Sequence, residues 1–514
     1  MANIVQGAVD LADCAREPIH VPGFIQSFGV LLAMRAGTEM VTQISNNAET
    51  IFGQDAVELV GQRLHQIIGR EGADEILNVL GSGNWKEANP IELTIPIDRA
   101  GKQLAVDAIV HRYDGLDFVE LEIVSPEATK VAKRSYHLVQ AALLRMQQAL
   151  DTPSLFDAVV SEAQRLTGYD RAMLYKFDRD DHGHVIAERK QDHQDPFLGL
   201  HFPASDIPEQ ARRLYRVNWV RYIPDVRYQP VPLIPVVDED HARLTDLSHS
   251  VLRSVSPVHC EYLRNMGVAA SMSVSILREG RLWGLIALHN DTPRYIPYQM
   301  RAACELLGQV LSLRIAALED TEDSAYKSKT NALQARLLAA LPEYKDLAGA
   351  LVATSPNLLD FIPATGAAVL FGDKIYTLGK VPDDQTIRTI LRSTLGHVTA
   401  PIFVTDRLQD RMIEARSFTA TASGVTAFTA SRARNIHVFW FRTEQVQIVE
   451  WGGEPTKPVE INGEAARLSP RKSFDKWKQE VYGKSQPWLQ TEIEAAAELR
   501  ATLMSLLLEK STEA

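Results

Sequence analysis

Residues 202–215 read FPASDIPEQARRLY. Pro203 and Pro208 bracket Asp206, so the backbone between them is predicted to be extended and kept out of a regular helix, which then begins at Glu209. The ordinary reading of these residues is a helix capping box around Ser205 and Glu209, and the segment taken alone favours it. The segment belongs to a proline-dotted run from residue 196 to 257, too irregular for a plain sheet. A loop of that length is usually functional or disordered. Its aromatic and apolar content predicts order, and hence function.

The run is flanked by periodic segments. Upstream, residues 127–150 carry an apolar stripe (Leu138, Ala142, Leu143, Met146) at helical spacing with no Gly or Pro, suiting a connector between domains. Thr152 and Pro153 then open another helix, with Thr152 as its cap, and Gly168 closes it. The strand RAMLYKF (171–177) places Met173, Tyr175 and Phe177 on one face. Downstream come two strands, SMSVSIL and LWGLIALH, with a Glu279-Gly280 turn between them. Residues 298–341 form a long helical region with Cys304, Leu307, Leu311 and Ile315 as its stripe, predicted to break at a polar patch near 321–330. A helix of that kind often pairs with a copy of itself.

TGAAVLFGDKIYTLG (365–379) repeats the plan of LTGYDRAMLYKF (166–177), so the second and third domains read as distant copies. Gly372-Asp373 marks a hairpin. Residues 424–451 alternate as strands, and a final helix at 490–510 looks like a signal rod cut short. Before all of this, FGVLLAM, MVTQIS, the short helix AETIFG and three later strands (IELTIPI, QLAVDAIVHR, FVELEIV) follow the order of a PAS-type sensor fold.

The chain has 514 residues, 45% hydrophobic and 23% charged, which allows about three domains with ample cores. A formal charge of -11 argues against a nucleic-acid surface or an anionic membrane partner. Cys14, Cys260 and Cys304 lie far apart, which suggests neither disulfides nor a cysteine zinc site and fits a reducing cytoplasm. No signal peptide and no membrane span is read.

Arg221, Arg253, Ser256, His259, Ser271 and Ser273 are polar groups in segments otherwise suited to burial. Two arginines with several hydroxyls suit two carboxylates, which Arg binds through paired hydrogen bonds. The plainer alternative is that Arg253 pairs with a nearby acid, the serines face solvent and His259 is a satisfied core histidine. Two rival functions stay open: a PAS/GAF sensor of a small diffusible ligand such as a cyclic nucleotide, and a metal site on His182, His184 and His193.

Asp206 within PASDIP, RSVSPVHCEYLRNMGV (253–268), LWGLIALH ending at His289, and LSPRKSF (468–474) together resemble the bacterial phytochromes over nearly the whole chain. The resemblance implies an α/β (α+β) architecture of three sensor domains with antiparallel sheets joined by long helices. These are an N-terminal extension and PAS domain (1–126), a GAF domain (127–318), and a PHY domain with a tongue hairpin (319–514). It implies a red/far-red photoreceptor holding biliverdin through a thioether to Cys14. Val258 stands where plant-type relatives carry their attachment cysteine, and Cys260 is a possible second thiol. Asp206 and His259 would hold the pyrrole nitrogens; Arg221, Arg253, Ser256, Ser271 and Ser273 the propionates. Tyr175, Phe202, Tyr262 and His289 would surround the rotating ring D, with Ile207 and Tyr215 also at the bilin and Leu200 and His201 nearby. In the tongue, next to Trp451, Arg471 would pair with Asp206 in one light state and Ser473 in the other. The resemblance further implies a homodimer through the long helices, and an output domain, most often a histidine kinase with its response regulator. None is read before Ala514, so the chain is expected to be a photosensory module and not itself an enzyme.

Overall fold

The computed structural model describes residues 17–96, 103–237, 243–340, 347–353, 355–396, 401–455, 459–462, 465–468 and 473–512. They form two compact units. One comprises Met1–Ala316 with Glu450–Trp477, and the other Ala317–Val449 with Lys478–Ala514.

Among the described residues the first unit holds two large sheets and a two-stranded ribbon, Val459–Asn462 with Ala465–Leu468. In the N-terminal one, strands Gly29–Arg35, Val41–Ser45, Ile91–Pro96, Gln103–Tyr113 and Leu116–Ile123 stack around a core that includes Leu32, Ile44, Phe52, Ile76 and Val119. These strands are antiparallel, as their alternating apolar residues require. The short helix Glu49–Phe52 ends on Gly53 at φ 64°, as predicted. One strand of this sheet comes from far away in the sequence. Val231–Ile234, inside the proline-dotted run, inserts between Phe24–Ile25 and Val41–Ser45. The run therefore travels back to the N-terminal domain and is fastened there. Glu120 accepts the N–H groups of Val251 (3.1 Å) and Leu252 (2.7 Å). Gln26 takes the Leu252 carbonyl on its backbone N–H (2.7 Å), and Ser254 donates to Phe24 (3.1 Å).

The second sheet has the order Val220–Ile223, Ala270–Arg278, Arg281–Asn290, Arg171–Phe177, Gly183–Lys190. Helix Thr152–Thr167 covers it, started by Asp151, whose side chain accepts the Ser154 N–H at 2.9 Å. Thr152 is thus the first helical residue and not the cap, because the carboxylate one position earlier reaches the free N–H groups. Gly168 ends the helix at φ 64°.

Helix Tyr298–Ala340 runs unbroken through residues 321–330. Polarity alone does not stop a helix: that patch has no Gly or Pro, and Ala, Glu and Lys sustain helical backbone on the solvent side. Cys304, Leu307, Leu311 and Ile315 are buried, as their spacing predicts. Gly308 lets the helix lie against strand Ala270–Arg278, since a Cβ there would stand 2.8 Å from the Val274 side chain.

Arg301 on this helix donates to both oxygens of Glu122 (2.6 and 2.7 Å), with side chains 3% and 1% exposed. Arg301→Met would strand a buried carboxylate. It is expected to cost ~3–5 kcal/mol in urea unfolding, and the added change Glu122→Leu to recover much of that loss.

In the second unit, strands Gly366–Phe371, Lys374–Gly379, Phe403–Thr405, Gly424–Ser431 and Ile436–Arg442 form one antiparallel sheet. Counted along the chain, its spatial order is second, first, fifth, fourth, third. The main strands of the preceding sheet follow the same permutation, which gives structural content to the reading of distant copies. The final helix, Gln490–Thr512, buries Ala496, Leu499 and Leu503 in this unit's core. Much of its apolar stripe is therefore core and not an unused rod face.

Candidate functional site

The site grows from period-two alternation in the middle sheet. Register places Ser271 opposite His289, Ser273 opposite Ala287, Ala287 opposite Met173 and Leu285 opposite Tyr175. All of these side chains share one face, the floor of a cleft. Helix Pro257–Asn265 begins with proline at its first turn and faces the floor with Val258, His259 and Tyr262. Helix Glu209–Val217 brings Gln210, Ala211, Leu214 and Tyr215.

Asp206 lies in a one-turn 3-10 helix, Ala204–Asp206, not in extended backbone. Proline restricts the residue directly before it, so Ile207 takes the extended conformation (φ -123°, ψ 85°) and Asp206 is free to turn. The capping box does not form: helix Glu209–Val217 is preceded by Pro208 with no side-chain cap. Instead Arg212 holds the turn, donating to the Ile207 carbonyl (2.6 Å) and to Asp181 (2.9 Å). His182 accepts the Ala204 N–H on Nδ1 (3.1 Å). Tyr262 donates its hydroxyl to Asp206 Oδ2 at 3.1 Å.

The cleft has two lobes that share Asp206, Ile207, Tyr215, His259 and Tyr262. The larger, about 1040 Å³ with its solvent-open mouth, also contains Arg221, Arg253 and Ser256. The smaller, about 660 Å³ on the same measure, contains Tyr175, Phe202, Ser271, Ser273 and His289. Every described residue of the expected binding set therefore lines one cleft. Cys14 and Arg471 lie outside the described residues. Cys260 is buried, lines neither lobe and has its thiol pushed up by burial. That is an inert environment for a thiol.

The larger lobe holds two arginines, Arg221 and Arg253, and two carboxylates, Glu17 and Asp206, that do not pair with them. Arg221 donates to the carbonyls of Arg253 (2.7 Å) and Ser254 (3.2 Å), and Arg253 to that of Ile19 (2.8 Å). Neither pairs with a carboxylate among the described residues, which removes the plainer reading of Arg253. Arg221 Nη1, Arg253 Nε and Asn218 Nδ2 are buried donors without an acceptor among the described residues. Burial, with the Arg221 charge beside it, pulls Arg253 down to about 9. Ser256 donates to Glu17 (2.8 Å) and so faces a protein carboxylate. Burial, with Arg221 nearby, lowers His259 to about 4. Burial, with Arg171 nearby, lowers His289 to about 3.

Two segments from the far end of the sequence reach this cleft within the first unit. Trp451 pairs with His201, and its ring meets that of His182 edge-on at 5.3 Å. Gly452 lies so close to Phe202 that a Cβ would come within 2.7 Å of the ring. Phe474 meets Tyr262 edge-on at 5.2 Å. Ser473 bonds Asp475 (2.8 Å) and not Asp206 in this structure.

The three histidines of the metal reading have separate partners. His182 serves Ala204, His184 stacks on His201 at 4.2 Å, and His193 meets Asp291 at 2.8 Å. Among the described residues no three ligands converge on one point. No described helix is long and apolar enough to cross a membrane.

Residues missed by sequence reasoning include Ile19, Asn218, Val185 and Phe197. Val185 and Met173 follow from strand alternation. Ile19 and Phe197 reach the cleft only through tertiary folding.

His111 and His289, both buried, are each lowered to about 3 by burial. Their folded values lie below the ordinary 6.5, so the unfolded chain takes up protons first as pH falls. Their contribution to stability is full above about pH 6.5 and is lost toward pH 3, by ~1.4 kcal/mol per unit per histidine. Glu120, pushed up to about 8 by burial, acts in the opposite direction between 4.5 and that value. Urea unfolding against pH is expected to show a His111→Gln variant losing less stability on acidification than the parent, by that one-histidine increment.

Three family models match the chain: a PAS fold over residues 14–124, a GAF domain over 151–318 and a phytochrome region over 330–512. Cyanobacterial phytochrome B of Nostoc sp. is 42% identical over 98% of this chain and 67% of its own length. A bacteriophytochrome of Pseudomonas aeruginosa is 36% identical over 98% of this chain and 68% of its own. The chain thus spans about two thirds of these relatives. Among solved structures, the Stigmatella aurantiaca phytochrome photosensory core module superposes with a TM-score of 0.87 at 42% identity, covering 98% of this chain and 99% of that one. A bacteriophytochrome from R. palustris gives 0.88 at 38% identity, with 97% and 99% covered. With the three domains in this order, the chain belongs to the phytochrome family of photoreceptors, as a bacteriophytochrome photosensory core module of PAS, GAF and PHY domains.

Proposed function

We propose that this chain is a red/far-red photosensory module that holds biliverdin in the cleft and switches reversibly between two light-absorbing states. The observation that carries this reading is a pair of arginines, the buried Arg253 and the half-buried Arg221, that meet no carboxylate among the described residues and stand at one end of a cleft whose other end is aromatic. Buried cations need anionic partners. A dicarboxylate with a long apolar body meets both ends, which a cyclic nucleotide with one phosphate does not.

Biliverdin supplies visible absorption and a light-isomerised double bond beside ring D. Arg221 and Arg253 hold its propionates, with Ser271, Ser273 and Ser256 as hydroxyl partners. His259, kept neutral by burial, and Asp206 face the pyrrole nitrogens. Tyr175, Phe202, Tyr262 and His289 bound ring D, while Ile207 and Tyr215 pack against the body. Cys14 supplies the thioether, as the family resemblance implies, and Cys260, buried and lining neither lobe, does not. Asp206 is the latch, exchanging Arg471 and Ser473 as the tongue around Trp451 changes state. The assigned spans are residues 1–126 for the extension and PAS domain, 127–318 for GAF and 319–514 for PHY. Homodimerisation through the long helices and a histidine kinase output acting on a response regulator complete the reading, in a cytoplasmic setting.

The test is assembly with biliverdin and spectra in darkness, after red light and after far-red light. Reversible exchange between red- and far-red-absorbing forms is expected. A coloured, unresponsive protein overturns the switch, and a colourless one overturns bilin binding.

A further inference from the structure

Arg171 and Glu188 line neither lobe, yet they form a nearly buried ion pair behind the aromatic one. Their contact is 2.6 Å, with side chains 7% and 3% exposed. Arg171 also donates to the Asp195 carbonyl (2.7 Å), and its guanidinium lies 3.9 Å above the Phe197 ring. Glu188 accepts the N–H groups of Phe197 (2.9 Å) and Leu198 (2.9 Å). The pair thereby folds the loop that sets Phe197 into the cleft wall. On the sheet Arg171 stands directly opposite His289 and shares a face with Met173 and Tyr175. The charged groups around Arg171 are Glu188, Asp195, Asp291 and, across the strand, Lys190. Those around His289 are Arg171, His259 and Asp291, and its Nδ1 has no protein partner among the described residues.

We infer that Arg171 and Glu188 are positioning residues for the ring-D end of the cleft. Together they seat Phe197, and Glu188 offsets part of the Arg171 charge, so that the positive field at His289 and at the bilin's protonated nitrogens is held down. The inference rests on the bilin reading above. It predicts a defect that is electrostatic as well as structural. Glu188→Gln keeps the shape and an acceptor oxygen but leaves Arg171 uncompensated, and a nearby like charge disfavours a protonated cation.

The experiment is an alkaline absorbance titration of the biliverdin-loaded parent, Glu188→Gln and the double variant Arg171→Gln/Glu188→Gln, with melting curves of each bilin-free chain. The midpoint at which the long-wavelength band is lost is expected to fall by about one pH unit in Glu188→Gln, the effect of one uncompensated charge about 12 Å away at an effective dielectric of about 20. It is expected to return to the parent value in the double variant, where both charges are gone. Lowered melting temperatures with unmoved midpoints would mean a purely structural pair and overturn the inference. If Glu188→Gln does not fold, the double variant decides. A folded, coloured double variant with the parent midpoint supports the inference, and one that also fails to fold overturns it. A parent that stays colourless in biliverdin refutes the bilin reading itself, and this inference with it.

Discussion

Asp206→Ala is expected to yield a coloured protein in which photoconversion stops short of the final state. The Asp206 backbone turn is held by neighbours that do not involve its carboxylate, namely Arg212 on Ile207 and His182 on Ala204. The cleft should therefore form and take up bilin. What the change removes is an anionic acceptor at the point where the two lobes meet, along with its bond from Tyr262. A hydrogen bond to a charged group is worth ~1.5–3 kcal/mol, so losing the latch should cut the equilibrium yield of the second state by roughly 10–100-fold. Tyr262→Phe removes the 3.1 Å bond but keeps the Asp206 carboxylate and the ring against Phe474, so a smaller defect is expected. Difference spectra after saturating red and far-red light measure both. Full conversion in Asp206→Ala would refute the latch.

Replacement of Arg253 should separate binding from folding. In the proposed complex its side chain meets a carboxylate, so Arg253→Met is expected to weaken biliverdin retention by roughly 10–100-fold, the worth of one charge-assisted contact. Arg253→Lys should recover only part of that, since an ammonium cannot present a fork. In the bilin-free chain the sign differs. Arg253 is a buried cation beside a second one, with no carboxylate partner among the described residues. Its removal relieves a desolvation and like-charge cost, offset by one lost bond to Ile19. The bilin-free melting temperature of Arg253→Met is therefore expected to match or exceed the parent's. A large drop would mean that Arg253 is a structural strut, and binding losses would then have to be assigned elsewhere. Bilin titration and differential scanning calorimetry on the same preparations give both numbers.

The residues of the site were legible chiefly through the motifs that carry the family resemblance, and the structure supplies the local reason that they meet. Alternation along 271–273 and 285–289 places Ser271, Ser273 and His289 on one floor. The three-residue spacing of His259 and Tyr262 brings both to one face of their helix. Local backbone detail was read less well. Asp206 turns where extension was predicted, because the proline constraint falls on Ile207. Helix Tyr298–Ala340 passes through a polar patch where a break was expected, because polarity without Gly or Pro does not by itself end a helix.

By itself the sequence determined the three domains, their strands and helices, and the chemical types gathered for the cleft. Those depend on periodicity and residue character, which are properties of short windows. Tertiary structure alone decided that Val231–Ile234 belongs to the first sheet and that Ile19 reaches Arg253. It alone decided that, among the described residues, Arg221 and Arg253 pair with no carboxylate while Arg301 pairs with one, and that Cys260 lines neither lobe. Each of these depends on which distant residues meet. Partner choice for a buried charge is set by the desolvation of all its neighbours at once, and no window of sequence contains that sum.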